Sequence, residues 1–163
     1  MKFSPLLGPL LLGMLVSPSA FAMEGDVQVG VTHQATVGSA PTAWVQGRWD
    51  ARQLSPRVSV EPVISLGFVG KRDEPGSREN VWLAGGGVRW HWTPTHGQRW
   101  PLFVETQVLG AHGRTDALSG PVQFGTGLGW AGERLEIMVR HLSNAGLKGP
   151  NRGENQLVVG WRF

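Results

Sequence analysis

The chain of 163 residues contains no cysteine and no tyrosine. Without cysteine it can form no disulfide, a lack that agrees with export but does not establish it. Beyond residue 22 no apolar run reaches the roughly 20 residues that a transmembrane helix needs. Charge is also sparse: the net charge is +3 and acids are interspersed among the basic residues. Despite a pI of about 10.2, no concentrated basic field indicates nucleic-acid binding.

The first 22 residues have the composition of a secretory signal peptide. Lys2 supplies the positive start, residues 6–16 form an apolar centre, and Ala20, Phe21 and Ala22 fit the small-residue cleavage pattern. This apolar centre is too short for a membrane anchor. The sequence therefore predicts a signal peptide over residues 1–22 and one mature domain over residues 23–163.

The mature part alternates apolar and polar residues with the period of two that is typical of β-strands. Eight such segments lie within residues 27–32, 45–50, 58–68, 88–92, 102–108, 122–130, 135–143 and 156–163. One apolar and one polar face per strand predict an all-β fold, an eight-stranded antiparallel transmembrane β-barrel of the outer membrane. The alternative is a soluble eight-stranded barrel of lipocalin type, with its apolar residues turned inward.

In the membrane barrel the charged residues of the polar register are expected to fill the interior as ion pairs: Arg48, Asp50, Arg89, Glu105, Glu136, Arg140 and Arg162. The eight tryptophans, Trp44 among them, lie near predicted strand ends and are expected to be interfacial anchors. The predicted external connections are residues 38–42, 71–80, 112–120 and 144–153. They would face outward if both termini face the periplasm.

His141 and Ser143 lie in the apolar register of the seventh predicted strand. They share it with Leu135, Ile137 and Val139, and residues two apart point to the same face of a strand. A histidine and a hydroxyl on a lipid-facing surface are costly and usually functional. Because an imidazole can accept the proton of a serine, the pair predicts nucleophilic catalysis on a lipid.

The segment from His141 to Lys148, followed by Pro150, Asn151 and Gly153, resembles the signature of the outer-membrane lipid A 3-O-deacylase family, PagL. The resemblance implies an eight-stranded barrel with a Ser-His-Glu triad that hydrolyses the ester at the 3 position of lipid A. It implies that Ser143 is the nucleophile and His141 the base. Asn144 and Asn151, with nearby backbone donors, are then the oxyanion-hole candidates.

Two neighbouring residues are candidates for the third member of the triad. Glu154 is the nearest carboxylate, but the acid of the family falls one position later relative to the serine, where this chain has Asn155. The register of the last strand turns Asn155 outward and Glu154 inward. Either a bulge turns Glu154 toward His141, which we favour because a carboxylate stabilises charge, or Asn155 orients the imidazole as in Cys-His-Asn enzymes.

The resulting expectations on partners are lipid A or lipopolysaccharide as substrate and contact with outer-membrane lipids. We expect no nucleic acid, no metal and no cofactor; a homodimer is left open. The competing hypothesis is a non-catalytic small barrel that serves adhesion or envelope structure. The motifs of the lipid A palmitoyltransferase barrel, a third candidate, are not evident.

Overall fold

A computed structural model describes residues 23–93 and 100–163 of the chain. The predicted signal peptide, residues 1–22, lies outside the described residues. The strands are β1 Met23–Gln34, β2 Gly38–Trp49, β3 Arg52–Ser55, β4 Val58–Val69, β5 Val81–Trp92, β6 Leu102–His112, β7 Val122–Ala131, β8 Leu135–Ser143 and β9 Glu154–Arg162. No helix in these two ranges is long and apolar enough to cross a membrane.

Eight of the strands close into an antiparallel barrel. Neighbours pair in the order β2, β1, β9, β8, β7, β6, β5, β4, and the additional pairing of β2 with β4 closes the ring. The short strand β3 pairs only with β4 and extends one hairpin. The predicted eight-stranded barrel is therefore confirmed, and β3 is an addition to it.

The two ends of the barrel differ. We call the end that carries connections 35–37, 70–80, 113–121 and 144–153 the loop end, and the end near residues 23 and 163 the terminus end. The bounds of three of the connections predicted to be external are confirmed to within a residue. The fourth is tighter than predicted because the side-chain oxygen of Gln34 accepts hydrogen bonds from the backbone of Thr36 and Val37, both at 2.9 Å. Residues 38–42 therefore belong to β2.

The apolar register faces outward. Val29 and Leu128 are each 60% exposed, although they lie in the middle of their strands. Residues of the polar register, such as Gln28 and Gln46, are buried. This arrangement is the reverse of a soluble barrel with an apolar interior, so the lipocalin-type alternative is wrong. The outer surface is that of a protein solvated by lipid.

The middle of the interior is built on ion pairs. Arg89 contacts Glu105 at 2.7 Å and Glu136 at 2.6 Å, and Arg140 contacts Glu105 at 3.0 Å. All four side chains are buried. Each charge therefore has a counter-charge within hydrogen-bonding distance, as buried charges require.

Toward the loop end the interior also contains an apolar cluster. The buried cluster there includes Val81, Leu83 and Leu142, and the connection 113–121 adds Ala117 and Leu118 to it. Because this connection folds into the mouth of the barrel, the loop end is plugged by side chains. The lumen is a packed core, as expected for eight strands.

Three details of the interior and its rim differ from the sequence prediction. Asp50 follows the end of β2 and is exposed, and Arg162 is only half-buried near the end of β9. Trp44 is not an interfacial anchor: it is 1% exposed inside the barrel, where its indole N–H donates to Gln156 at 3.1 Å. Gly67 leaves room for it, since a Cβ at that position would lie 2.4 Å from the Trp44 ring.

Four of the remaining tryptophans lie in strands and are exposed, as the anchor prediction requires: Trp82, Trp92, Trp130 and Trp161. Trp100 is also exposed, but it lines a pocket with the interior residues Arg48 and Arg89.

Replacing Arg89 by Gln tests the interior network. The change leaves Glu136 without its ion pair, and breaking a buried pair costs about 3–5 kcal/mol. We expect the refolded barrel to unfold at a clearly lower urea concentration, measured by tryptophan fluorescence in lipid vesicles. Arg57→Gln, at an exposed position, is the matched control and should change the free energy of unfolding by about 0.5 kcal/mol or less. Equal midpoints for both variants would contradict the assigned role of Arg89.

Candidate functional site

His141 and Ser143 lie on the outer face of β8 where the strand reaches the loop end. The His141 side chain is exposed and Ser143, the last residue of β8, is half-buried. On one side His141 is paired with Thr126 of β7, and on the other with Asn155 of β9. Both side chains thus stand on the wall of the barrel that the apolar register covers, as the alternation of the strand predicts.

A side-chain hydrogen bond fixes the imidazole. His141 Nδ1 lies 2.9 Å from the Oδ1 atom of Asn155. A carbonyl-type oxygen can only accept, so the proton of this bond belongs to Nδ1. Nε2 then carries the lone pair and is the basic atom of the ring.

Glu154 lies on the opposite side of the wall. Its carboxylate is fully buried inside the barrel and accepts two hydrogen bonds from the Arg72 guanidinium, at 2.8 and 2.7 Å. The hydroxyl of Thr32 donates to the same carboxylate. The pairing of β8 with β9 is regular from Leu142 opposite Glu154 onward, so no bulge turns this residue. The structure therefore does not bring Glu154 to His141; it brings Asn155.

Arg72 reaches this carboxylate from the connection 70–80. Its Nε also donates to the backbone carbonyl of Gly38, at 3.1 Å. One arginine thus links the connection 70–80 to the start of β2 and to the start of β9. The sequence shows only that this connection is rich in charge, which does not indicate that one of its arginines is buried.

The side chain of Asn144, the residue after Ser143, is buried and committed to its own loop. Its Nδ2 donates to the Ser119 hydroxyl at 3.1 Å and to the Lys148 carbonyl at 2.6 Å. Its Oδ1 accepts from the Gly146 N–H at 3.0 Å. With its hydrogen-bonding groups engaged in this way, the Asn144 side chain braces the loop that follows the serine.

Asn151 approaches the same place from the far end of the loop. Its Oδ1 accepts the backbone N–H of Asn144 at 3.1 Å, and the side chain is half-buried. Within the described part of the chain its amide nitrogen makes no hydrogen bond. Of the two sequence candidates for an oxyanion hole, Asn151 is thus the one with a side-chain donor to offer.

Gly153 lies against the edge of the imidazole. A Cβ built on it would lie 2.7 Å from Cε1 and 3.0 Å from Nε2 of His141, and its φ of 68° is one that side chains rarely adopt. The missing side chain therefore leaves space at the basic nitrogen. Sequence reasoning noted this glycine only as part of a signature and missed the contact.

Comparison with known proteins identifies the family of the chain. The family model described as lipid A 3-O-deacylase (PagL) matches residues 25–163. The chain belongs to the PagL family. No curated protein matches it at a significant level.

Among solved structures, the PagL-family fold is matched by the crystal structure of the outer membrane enzyme PagL. That structure is similar with a TM-score of 0.55 at 16% identity, over 85% of this chain and 98% of the other. Ail of Yersinia pestis in a phospholipid nanodisc aligns with a TM-score of 0.47 at 11% identity, over 87% of this chain and 100% of the other. At this identity the PagL match shows the fold of an outer-membrane barrel.

The outer face of this PagL-family barrel carries a polar row that extends beyond the His141 site. His33 of β1 is paired with Asn155 across the strands, and its Nδ1 lies 3.0 Å from the Ser39 hydroxyl. His33, Ser39, Asn155 and His141 are all exposed. The sequence alone does not indicate this row, because the neighbours of His33 in space lie on three different strands.

Proposed function

We propose that the chain is a lipid A 3-O-deacylase, a serine esterase that hydrolyses the ester-linked acyl chain at the 3 position of lipid A. The observation that carries the proposal is the 2.9 Å hydrogen bond that orients His141 on the outer face of the barrel, two residues before Ser143. Membership of the family supports lipid A as the substrate. A non-catalytic barrel has no use for this arrangement on an apolar wall.

Ser143 acts as the nucleophile and His141 as the general base. The Ser143 hydroxyl attacks the ester carbonyl while His141 Nε2 takes its proton. The protonated ring then gives this proton to the sugar oxygen as the bond between that oxygen and the acyl carbon breaks, so the sugar leaves with a free hydroxyl. Water, activated by the same nitrogen, hydrolyses the acyl-serine and releases the fatty acid. Asn155 replaces Glu154 as the third member, because the hydrogen bond of its amide oxygen to Nδ1 keeps Nε2 free to accept.

The tetrahedral intermediate of an ester requires donors for its oxyanion. The Asn151 amide nitrogen is our candidate, together with backbone N–H groups of the loop that begins at Asn144. The hydrogen bond between Asn151 Oδ1 and the Asn144 N–H holds the two residues together. The Asn144 side chain then supports the hole without donating to it.

The proposal places the protein in the outer membrane, exported by the signal peptide over residues 1–22 with Met23 as the first mature residue. The loop end faces the cell exterior and the apolar outer face contacts lipid. His141 and Ser143 then lie level with the outer leaflet, where lipopolysaccharide is the surrounding lipid. Catalysis requires only one copy of the barrel, and a homodimer would have to leave the β7–β9 face open.

Removing the nucleophile or the base should abolish the reaction. For Ser143→Ala and His141→Asn we expect a loss of about 10⁶-fold in kcat, with the double variant scarcely slower, because such residues act as a unit. The measurement is mass spectrometry of lipid A from Gram-negative cells that express each variant, which detects loss of one 3-linked hydroxyacyl chain. A heat-dependent gel shift controls for folding. Normal release by Ser143→Ala would refute the serine esterase.

Comparing Asn155→Ala with Glu154→Gln identifies the residue that orients the imidazole. Asn155→Ala removes the acceptor of the Nδ1 proton, and we expect kcat to fall about 10²-fold, the scale expected for a misplaced catalytic group. Glu154→Gln weakens the interior ion pair with Arg72. We therefore expect it to lower the urea midpoint of unfolding clearly while kcat changes little. The reverse pattern, a stable but inactive Glu154→Gln protein, would assign the role to Glu154.

Two glycines of one loop form a matched pair for testing the space beside Nε2. Gly153 and Gly146 both have positive φ, 68° and 79°, but only a Cβ at Gly153 would meet the His141 ring. Both alanine variants carry similar backbone strain. We therefore expect Gly153→Ala to lose about 10²-fold in kcat while Gly146→Ala stays near wild type in the same assay. Equal losses would trace the effect to loop strain.

A further inference from the structure

Three connections of the loop end meet around an open pocket, and one of them is the connection 144–153 that follows Ser143. Its lining includes Arg78 of connection 70–80, Arg114 of connection 113–121 and Lys148 of connection 144–153. The carboxylates of Glu79 and Asp116 also line it. The pocket thus combines three cationic with two anionic side chains from separate parts of the chain.

Backbone hydrogen bonds hold the three connections together. The Asp116 N–H donates to the Gly76 carbonyl at 2.6 Å, and the Gly153 N–H donates to the Ala117 carbonyl at 3.2 Å. The Glu79 carboxylate accepts the backbone N–H of Arg114 at 3.0 Å. One of the two carboxylates is therefore engaged with the backbone, and the pocket has walls of defined shape.

The cationic side chains still have donors to offer a ligand. Arg78, Arg114 and Lys148 are exposed, and none of them forms an ion pair within residues 23–93 and 100–163. Arg78 Nε donates to the Asp73 carbonyl at 3.2 Å, which leaves the two terminal nitrogens of its guanidinium. An arginine guanidinium binds a phosphate group through paired hydrogen bonds, and a lysine ammonium binds it as a point charge. A pocket with both kinds of group fits a phosphate ester better than it fits a neutral sugar.

The backbone of Lys148 is hydrogen-bonded to the residue that follows the nucleophile. Its carbonyl accepts hydrogen bonds from the Ser119 hydroxyl at 3.0 Å and from Asn144 Nδ2 at 2.6 Å. Asn144 directly follows Ser143, so the connection 144–153, which lines part of the pocket, begins at the residue after the nucleophile. A lipid whose ester lies at Ser143 has its acyl chains along the wall and its polar head at the loop end, where the pocket opens.

We propose that this pocket binds a phosphate group on the headgroup of the lipid substrate and so sets the position of the ester at Ser143. The inference rests on the proposed function. Phosphate could also come from solution as the free anion, so the test must separate the two sources.

The experiment uses the full mature barrel in detergent micelles, with lipid A that carries both phosphates and the same lipid with both removed. The variants are Lys148→Gln, Arg114→Gln and their double substitution. Lys71→Gln is the matched control, since Lys71 is an exposed cation of the loop end that does not line the pocket. Two quantities are measured: KM and kcat of deacylation, and the Kd of each lipid for protein that also carries Ser143→Ala.

We expect the double variant to raise KM and Kd for the phosphorylated lipid about tenfold, with kcat nearly unchanged, since binding that is equal in ground and transition state affects KM alone. Both values for the dephosphorylated lipid should stay constant, as should all values for Lys71→Gln. The proposal is overturned if the double variant weakens both lipids equally, if Lys71→Gln has the same effect, or if nothing changes.

Free phosphate as the ligand gives a different result. In that case ³¹P line broadening of inorganic phosphate depends on Arg114 and Lys148, whereas KM is insensitive to the phosphates of the lipid, and the assignment to the substrate is wrong. If the wild-type barrel releases no 3-linked chain, the proposed function fails. The Kd values of the two lipids still decide whether the pocket recognises phosphate.

Discussion

The paired charges inside the barrel determine which side chains of each strand point inward. Arg89 lies between Glu105 and Glu136, and the three side chains come from three different strands. Moving one strand by a single residue would turn all of its side chains to the other face and leave these charges in lipid. The register is therefore fixed from inside by ion pairs and from outside by the apolar residues. In this register the outer face of β8 has to carry His141 and Ser143.

The same constraint decides which neighbour reaches the imidazole. Glu154 neutralises Arg72, whose guanidinium is buried at the mouth of the barrel. Turning Glu154 outward would leave that guanidinium without its counter-charge, and an unpaired buried charge costs several kcal/mol. The acid stays inside and Asn155 stands on the wall. A neutral amide can orient His141, but it stabilises the imidazolium less than a carboxylate would, so the site depends more on placement than on charge.

Alternation of side chains along strands is the part of this structure that the sequence predicts well. This alternation predicts the eight barrel strands, the interior position of Arg89 and the outward position of His141. Contacts between distant segments do not follow from it. The burial of Trp44 depends on the space that Gly67 leaves in another strand, and the position of Arg72 depends on how a loop folds back into the barrel. Only the three-dimensional arrangement shows that Asn155 is hydrogen-bonded to His141 while Glu154 pairs with Arg72.

The residues of the site come from one hairpin, and they lie on the wall of the barrel rather than in a deep cleft. Strand β8 sets the spacing of His141 and Ser143, and the return of the chain into β9 brings Gly153 and Asn155 to the ring. The loop between them is shaped by the hydrogen bonds of the Asn144 side chain and held by neighbouring connections. Because strand walls hold side chains more precisely than mobile loops do, the His141 imidazole and Asn155 are held in a defined position on the wall. In the proposed reaction, the surrounding membrane would supply the apolar environment that an enclosed pocket provides in a soluble esterase.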